Sequence, residues 1–404
     1  MERLPTFAAL VGFITLMLGQ AMGQYEPPAG YYEGANGLTG TALESALHDA
    51  IDNHQQVPWG WSAFQDLDTS LTDSSSVLLV YSNVVRSKND HGGDAGEWNR
   101  EHVWPKAFGM SGGSNLDERD LHNVLASDVQ VNSERGSLYF DETDAAFENT
   151  PAHPSAPNCS KDSNSWEPQP SRKGDVARIC FYMAVRYDGS DSGTGDLTLG
   201  DTPNTSARRM GKLSTLLRWH REDPVSDQER LRNHKIFTNA YGVKQGNRNP
   251  FVDQPLYAEL LYLAESPETD FDEDGISDFW EAESLGEFSQ DGKSDQDSDG
   301  VPLLLEYAFR MNPKASDDYL APSLLDGTSE ETMIIRFRWN RQMPSSVTYS
   351  LQSSPNLDPG SWNSAVTAPP DITDLTEDLR TVDFIVNADS TNFRFFRVRV
   401  TTSP

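Results

Sequence analysis

Cysteine is scarce: Cys159 and Cys180 are the only two in 404 residues. No disulfide framework can hold such a chain, and a small stapled scaffold is excluded. The two could pair with each other, but Cys180 lies in the apolar run Ile179-Cys180-Phe181-Tyr182-Met183 and suits a buried thiol equally well. Positive charge is also short, with 32 Lys and Arg against 62 Asp and Glu and a formal net charge of -30. Such a molecule repels polyanions at long range, so a nucleic-acid partner has to be met by a local basic patch or a metal. Long hydrophobic runs are missing beyond the N-terminus. There, Arg3, the apolar stretch 7–18 and Ala21-Met22-Gly23 give a charged start, a run too short to span a bilayer, and small residues before a cut after Gly23. Residues 1–23 therefore read as a cleaved secretory signal, which implies export and no stable membrane insertion. The full chain is 36% hydrophobic and 10% aromatic, including 9 Trp. That composition argues against disorder and for a soluble globular chain of about two to three domains.

Composition shifts twice in the mature chain and divides it into residues 24–265, 266–314 and 315–404. In the first part, Leu43, Ala46, Leu47, Ala50 and Ile51 recur at helical spacing. Residues 77–81 form a β-favouring run, and 175–187, 212–220 and 224–237 read as helices, the last with Pro224 in its first turn. Helices and strands mix without regular alternation, which predicts an α+β domain. The middle part is acidic, with Lys293 the only base between Glu268 and Glu306. In the last part Ile335, Phe337 and Trp339 alternate with Arg336 and Arg338, and Phe396, Val398 and Val400 with Arg397 and Arg399. With further strands at 347–351 and 384–386, this predicts a small sandwich-like β domain.

The residues able to carry chemistry cluster in the first part. Glu101-His102 puts an acid next to an imidazole, and on extended backbone the two point to opposite sides. The imidazole can then take a proton from water while the carboxylate faces a metal. About thirty residues on, Leu121, Val124 and Leu125 can seed a second strand, and Ser127 can cap a short helix that carries Asn132 and closes at Gly136. Two strands and a helix bearing His and Asn make a hairpin-plus-helix able to hold one hard divalent cation through oxygen.

Several ordered blocks carry a family resemblance. They are Asn99-Arg100-Glu101-His102-Val103-Trp104-Pro105, then Asp120-Leu121-His122-Asn123 through Asn132-Ser133-Glu134-Arg135-Gly136, and Lys173-Gly174-Asp175-Val176-Ala177-Arg178. Downstream stand Leu217-Arg218-Trp219-His220-Arg221-Glu222-Asp223-Pro224 and Gln245-Gly246-Asn247-Arg248-Asn249-Pro250. Over about residues 31–262 the chain resembles the bacterial endonuclease I family of secreted or periplasmic, non-specific nucleases with a ββα-metal site. Ala126 and Ser137 depart from that family's pattern. The resemblance implies a phosphodiester hydrolase acting on DNA, with RNA as a second substrate, and leaving 5′-phosphate and 3′-hydroxyl ends. It implies His102 as general base and Glu101 and Asn132 as ligands of one Mg²⁺. Arg135, one helical turn after Asn132, is then a candidate phosphate contact, and His122 and Asn123 would orient the site from behind. The bases Arg100, Lys106, Arg119, Arg135, Arg172, Lys173, Arg178, Arg186, Arg208, Arg209, Lys212 and Arg218 all fall in this part, so a local groove is conceivable despite the net charge.

The acidic part holds two copies of the calcium-loop spacing D-x-D-x-D-G-x5-E. One is Asp270, Asp272, Asp274, Gly275 and Glu281, with Asp278 as a further candidate; the other is Asp295, Asp297, Asp299, Gly300 and Glu306. A helix over 303–309 is expected to start inside the second loop. The loops resemble dockerin-like or thrombospondin type 3 repeats, in which Ca²⁺ neutralises clustered acids; here it would stiffen a connector. A monomer is expected. The competing class is a non-catalytic, calcium-dependent extracellular adhesion or matrix protein. A metalloprotease is disfavoured because no H-E-x-x-H spacing occurs.

Overall fold

The computed structural model describes residues 25–112, 115–144, 146, 150–238, 244–264, 266, 268–286, 291–316, 321–327, 329, 332–365, 369–387 and 395–402. The signal reading of residues 1–23, with its cut after Gly23, lies outside the described residues. Among the described residues no helix is long and apolar enough to cross a membrane. The chain divides into two units, Met1–Leu261 and Tyr262–Pro404.

The first unit is α+β, with small sheets between helices. Its helices include α1 (Gly40–Ile51), α2 (Trp61–Leu67), α3 (Val129–Arg135), α4 (Pro170–Arg186), α5 (Leu213–Glu222) and α6 (Asp227–Thr238). In α1 the spacing of Leu43, Leu47 and Ile51 puts three fully buried side chains on one face, which packs on α4. Helix α4 is buried all round from Val176 to Val185, which is why its sequence reads as a near-continuous apolar run. Helix α6 begins three residues beyond Pro224. Ser226 and Glu229 form a capping box there: the Glu229 carboxylate accepts from the Ser226 N–H at 2.9 Å and the Ser226 hydroxyl from the Glu229 N–H at 3.3 Å.

Two hairpins position the site: β1 (Ser76–Leu78) with β2 (Val85–Ser87), and β3 (Trp98–His102) with β4 (Val124–Asp128). The strand expected over 77–81 stops at Leu78, because the chain turns there through Asn83 at φ 54°. The Val80 N–H donates instead to Ala126 O at 2.9 Å, and Tyr81 is left fully buried beneath β3. Phe64, Leu67, Val77, Leu79, Trp98, Val124, Ala126 and Ile236 form the core behind these hairpins. Cys159 and Cys180 are both free and buried, and burial pushes each thiol up to about 12.

The second unit is a two-sheet β structure with two short helices. One sheet orders β5 (Ser323–Asp326), β6 (Thr332–Asn340), β10 (Leu379–Asn387) and β9 (Asp371–Asp374); the other orders β8 (Asn363–Ser364), β7 (Val347–Ser354) and β11 (Phe395–Thr402). Along β6 the buried Ile335, Phe337 and Trp339 alternate with exposed Arg336 and Arg338. Full burial of a side chain such as Ile335 or Phe337 contributes roughly 1.5–3 kcal/mol. The acidic segment belongs to this unit rather than standing as a separate connector. Its helices α7 (Asp278–Ser284) and α8 (Leu303–Phe309) bring Trp280 and Tyr307 to 4.9 Å between rings, and Phe309 joins the sandwich core 5.8 Å from Phe337.

Candidate active site

Antiparallel β3 and β4 set Glu101 opposite Leu125 and His102 opposite Val124, and α3 follows β4 directly, giving the expected hairpin-plus-helix. The helix cap is Asp128 rather than Ser127. Its Oδ1 accepts from the N–H groups of Gln130 at 2.8 Å and Val131 at 3.1 Å, while Ser127 is the last strand residue but one and is buried. The hairpin is held from behind by a buried ion pair. Asp68 accepts from the Ala126 N–H at 2.7 Å and from Arg232 Nε at 2.7 Å, and Arg232 also donates to the carbonyls of Leu121 and Val124.

Glu101 is almost fully buried. Its Oε1 accepts from Tyr81 Oη at 2.6 Å and Arg135 Nη1 at 3.0 Å. Burial raises its pKa, against the pull of the Arg135 charge and the Tyr81 hydroxyl. Arg135 is fully buried too. It donates to the carbonyls of His102 at 2.9 Å and Val103 at 2.6 Å, and its guanidinium lies 4.7 Å from the Phe140 ring centroid. The phosphate contact expected of Arg135 is therefore corrected: the guanidinium faces inward and ties α3 to the end of β3. Asn132 Nδ2 donates to Asn99 Oδ1 at 2.8 Å and to Arg100 O at 3.3 Å, which fixes the amide with its oxygen turned the other way.

His102 Nε2 lies 2.8 Å from Glu118 O. A carbonyl only accepts, so Nε2 carries the hydrogen and Nδ1 keeps its lone pair. Burial lowers the pKa of this imidazole to about 4. It is therefore neutral at pH 7. Asn123 holds the backbone just past His102, its Oδ1 accepting from the Trp104 N–H at 2.7 Å and its Nδ2 donating to Trp104 O at 3.2 Å. His122 lies on the inner side, 4.5 Å from the Tyr182 ring and 3.3 Å from Asn247 O through Nε2, and does not line the cleft. Glu101, His102, Asn132, Arg100, Lys106 and Ser137 are among the residues around one open cleft of about 200 Å³.

The expected basic groove is much reduced. Arg172 pairs with Asp175, Arg178 with Glu229, Arg186 with Asp191, Lys173 with Glu167, Lys106 with Glu118, Lys212 with Asp141 and Arg218 with Glu142. Of the bases named from sequence, Arg100, Arg119, Arg208 and Arg209 have no carboxylate partner among the described residues. Sequence reasoning missed Tyr81 under Glu101, Glu118 as the carbonyl that orients His102, and Trp59 and Trp61, which flank Arg100. The Trp59-Gly60-Trp61 pattern was the one available signal.

In the second unit the two acidic loops share one conformation. Glu273 and Ser298 have φ of 58° and 64°, and Gly275 and Gly300 have 95° and 94°. The N–H groups of Gly275 and Gly300 donate to Asp270 and Asp295, each at 3.0 Å. The carboxylates of Asp270, Asp272 and Asp274 each bring an oxygen within 4.8 Å of the others, as do those of Asp295, Asp297 and Asp299. Asp270 Oδ1, Asp274 Oδ2 and Asp297 Oδ2 are buried without a hydrogen-bond partner, and Glu281 and Glu306 are fully buried at the twelfth loop positions. Asp278 is turned to backbone, accepting from the Phe271 N–H at 3.0 Å.

The family model described as Endonuclease I matches residues 39–256, which contain the whole cleft. The chain is similar to the extracellular ribonuclease of Bacillus subtilis (strain 168), 44% identical over 250 residues that cover 61% of this chain and 83% of the relative. It is likewise similar to the extracellular ribonuclease of Bacillus amyloliquefaciens, 44% identical over 235 residues that cover 57% of this chain and 78% of the relative. With the hairpin, the helix and the cleft all inside the matched region, the chain belongs to the endonuclease I family and is a nuclease.

Proposed function

We propose that this chain is an exported, sequence-non-specific endonuclease that hydrolyses phosphodiester bonds of DNA and RNA, with His102 as general base and one Mg²⁺ held by Glu101 and Asn132. The observation that carries the proposal is the fixed tautomer of His102 beside Glu101 and Asn132 in one cleft. Water attacks phosphorus, its proton passes to His102 Nδ1, the P–O3′ bond breaks, and the departing 3′ oxygen takes up a proton from solvent. The products carry 5′-phosphate and 3′-hydroxyl ends. The donor set suits a hard ion, since the orientation of Asn132 leaves an amide oxygen beside a carboxylate with room for water, and Mg²⁺ keeps several waters. When bound, Mg²⁺ supplies positive charge to the phosphate and the departing oxygen. Arg135 and Tyr81 hold the Glu101 carboxylate, and Asn123 holds the strand end that carries His102.

RNA as a substrate and export are supported by the names of the two relatives. Ca²⁺ in the two acidic loops is the structural counterpart of this reading, supported by the buried unpartnered oxygens of Asp270, Asp274 and Asp297. A non-catalytic adhesion role is not favoured by any observation at the cleft.

The test is cleavage of plasmid DNA and of RNA by the mature protein with Mg²⁺, with EDTA and with His102→Ala, scoring product ends. Metal-dependent cleavage with 5′-phosphate ends, reduced by about 10² to 10⁴ in the variant, is expected. Wild-type activity in His102→Ala would remove His102 from its role.

A further inference from the structure

We infer that Arg100 is a substrate-binding residue that grips a phosphate next to the scissile one, and that Trp59 and Trp61 hold its guanidinium flat for that task. This rests on the nuclease reading above and adds a binding residue to it.

Strand periodicity supplies the placement. Arg100 and His102 are two apart on β3, so their side chains leave the same strand face about 7 Å apart. Asn99 and Glu101 leave the other face, toward Asn132 and Arg135. The Arg100 guanidinium lies 4.9 Å from the Trp59 ring centroid and 4.3 Å from that of Trp61. The Trp59 ring stands 5.8 Å from the His102 ring, so the cation is one side chain away from the proposed base. Trp61 is backed in turn by His91, stacked at 4.5 Å.

Charge supplies the purpose. In a chain with a formal charge of -30, each fully buried arginine of this unit is matched by an acid, whereas half-buried Arg100, like Arg119 and Arg209, has no carboxylate partner among the described residues. Its recorded hydrogen bond is from Nη1 to Trp59 O at 3.1 Å. A guanidinium packed this close to two indole rings keeps its N–H groups for acceptors in its own plane, where a phosphate accepts two parallel bonds. The indoles also stabilise the cation through their ring quadrupoles without neutralising it, which a carboxylate would do. A packing role alone would be served by an apolar side chain in the same slot.

The test measures binding and turnover of single-stranded DNA and RNA oligonucleotides over a series of salt concentrations, using the full chain. For Arg100→Gln, KM should rise about tenfold, as for loss of a hydrogen bond to a charged group, and kcat should stay within about threefold. The slope of log affinity against log salt should become shallower by about one. Arg100→Lys keeps the slope and still raises KM, because it keeps the charge and loses the fork. Trp61→Leu raises KM less, with the slope unchanged. Oligonucleotide binding in EDTA, followed by anisotropy, reads the same slope without turnover. An Arg100→Gln protein with wild-type KM and salt slope overturns the inference. If that variant does not fold, a wild-type KM in Arg100→Lys overturns it instead. Absence of cleavage by the wild-type protein would count against the nuclease reading, while the binding slope would still decide the role of Arg100.

Discussion

The two units handle acidic side chains in opposite ways. In the catalytic unit buried carboxylates are matched from within: Glu101 by Arg135, Asp68 by Arg232, Glu229 by Arg178 and Asp253 by Arg248. In the second unit the carboxylates of residues 270–274 and 295–299 face one another, with Lys293 the only base between Glu268 and Glu306. The first pattern fixes side chains at chosen places, because a buried carboxylate is stable only where its guanidinium sits. The second concentrates negative charge that an external cation would offset. One unit offsets its buried carboxylates with its own guanidinium groups; in the other the clustered carboxylates would be offset by a cation from solution.

The sharpest way to break this contrast is to remove an internal partner. Arg135→Met leaves Glu101 buried without its cation, which should cost about 3–5 kcal/mol in chemical unfolding of the catalytic unit and abolish cleavage. An unfolding midpoint equal to wild type would show that Arg135 does not support Glu101. Next comes the external cation. Glu306→Gln should weaken Ca²⁺ uptake at the second loop by about tenfold, as for loss of one charge-assisted contact, and leave oligonucleotide cleavage within twofold. Calorimetric titration with Ca²⁺ reads the first effect, and a matched activity assay the second. Equal loss of activity would couple the two units.

A third test uses acid. All eight histidines lie in the first unit. Burial lowers His54, takes His122 to about 4 and takes His220 to about 3. A histidine whose folded pKa is depressed binds its proton more readily when unfolded. Stability is therefore full above the unfolded value near 6.5 and declines as pH falls toward the folded values. In Ca²⁺-saturated protein, scanning calorimetry between pH 7 and 5 should lower the melting of the catalytic unit and leave that of the second unit in place. The smallest expected effect is at the cap of α3: Asp128→Ala should cost about 1 kcal/mol and reduce activity through the placement of Asn132.

Much of the site was legible because its parts are local. The strand with Glu101 and His102, the second strand and the short helix with Asn132 lie within forty residues, and hydrophobic spacing with polar caps announces each. The cap moved from Ser127 to Asp128, since both types suit the position and the strand runs one residue further than expected, pairing Asp128 with Trp98 before the helix starts at Val129. Arg135 was misplaced for a tertiary reason. Helical spacing puts it one turn beyond Asn132, but its inward direction depends on Glu101, thirty-four residues away. The Trp59-Gly60-Trp61 pattern was visible in the sequence, but its partner Arg100 lies 41 residues from Trp59, so the stack itself was not. In the second unit the alternation of β6 and β11 was readable strand by strand. The acidic segment read as a connector because its charges outnumber its apolar residues, yet Ile276, Trp280, Leu303 and Tyr307 form a buried cluster with Met343 packed against it.

The central claim is that Glu101 and Asn132 hold one divalent ion beside His102, independently of the acidic loops. It is tested most directly by counting Mn²⁺ bound, by electron paramagnetic resonance, to the full chain with the loops first saturated with Ca²⁺. The account predicts one Mn²⁺ site in the wild-type protein, lost in Asn132→Ala and Glu101→Gln and kept in His102→Ala; unchanged Mn²⁺ binding in both ligand variants would contradict it.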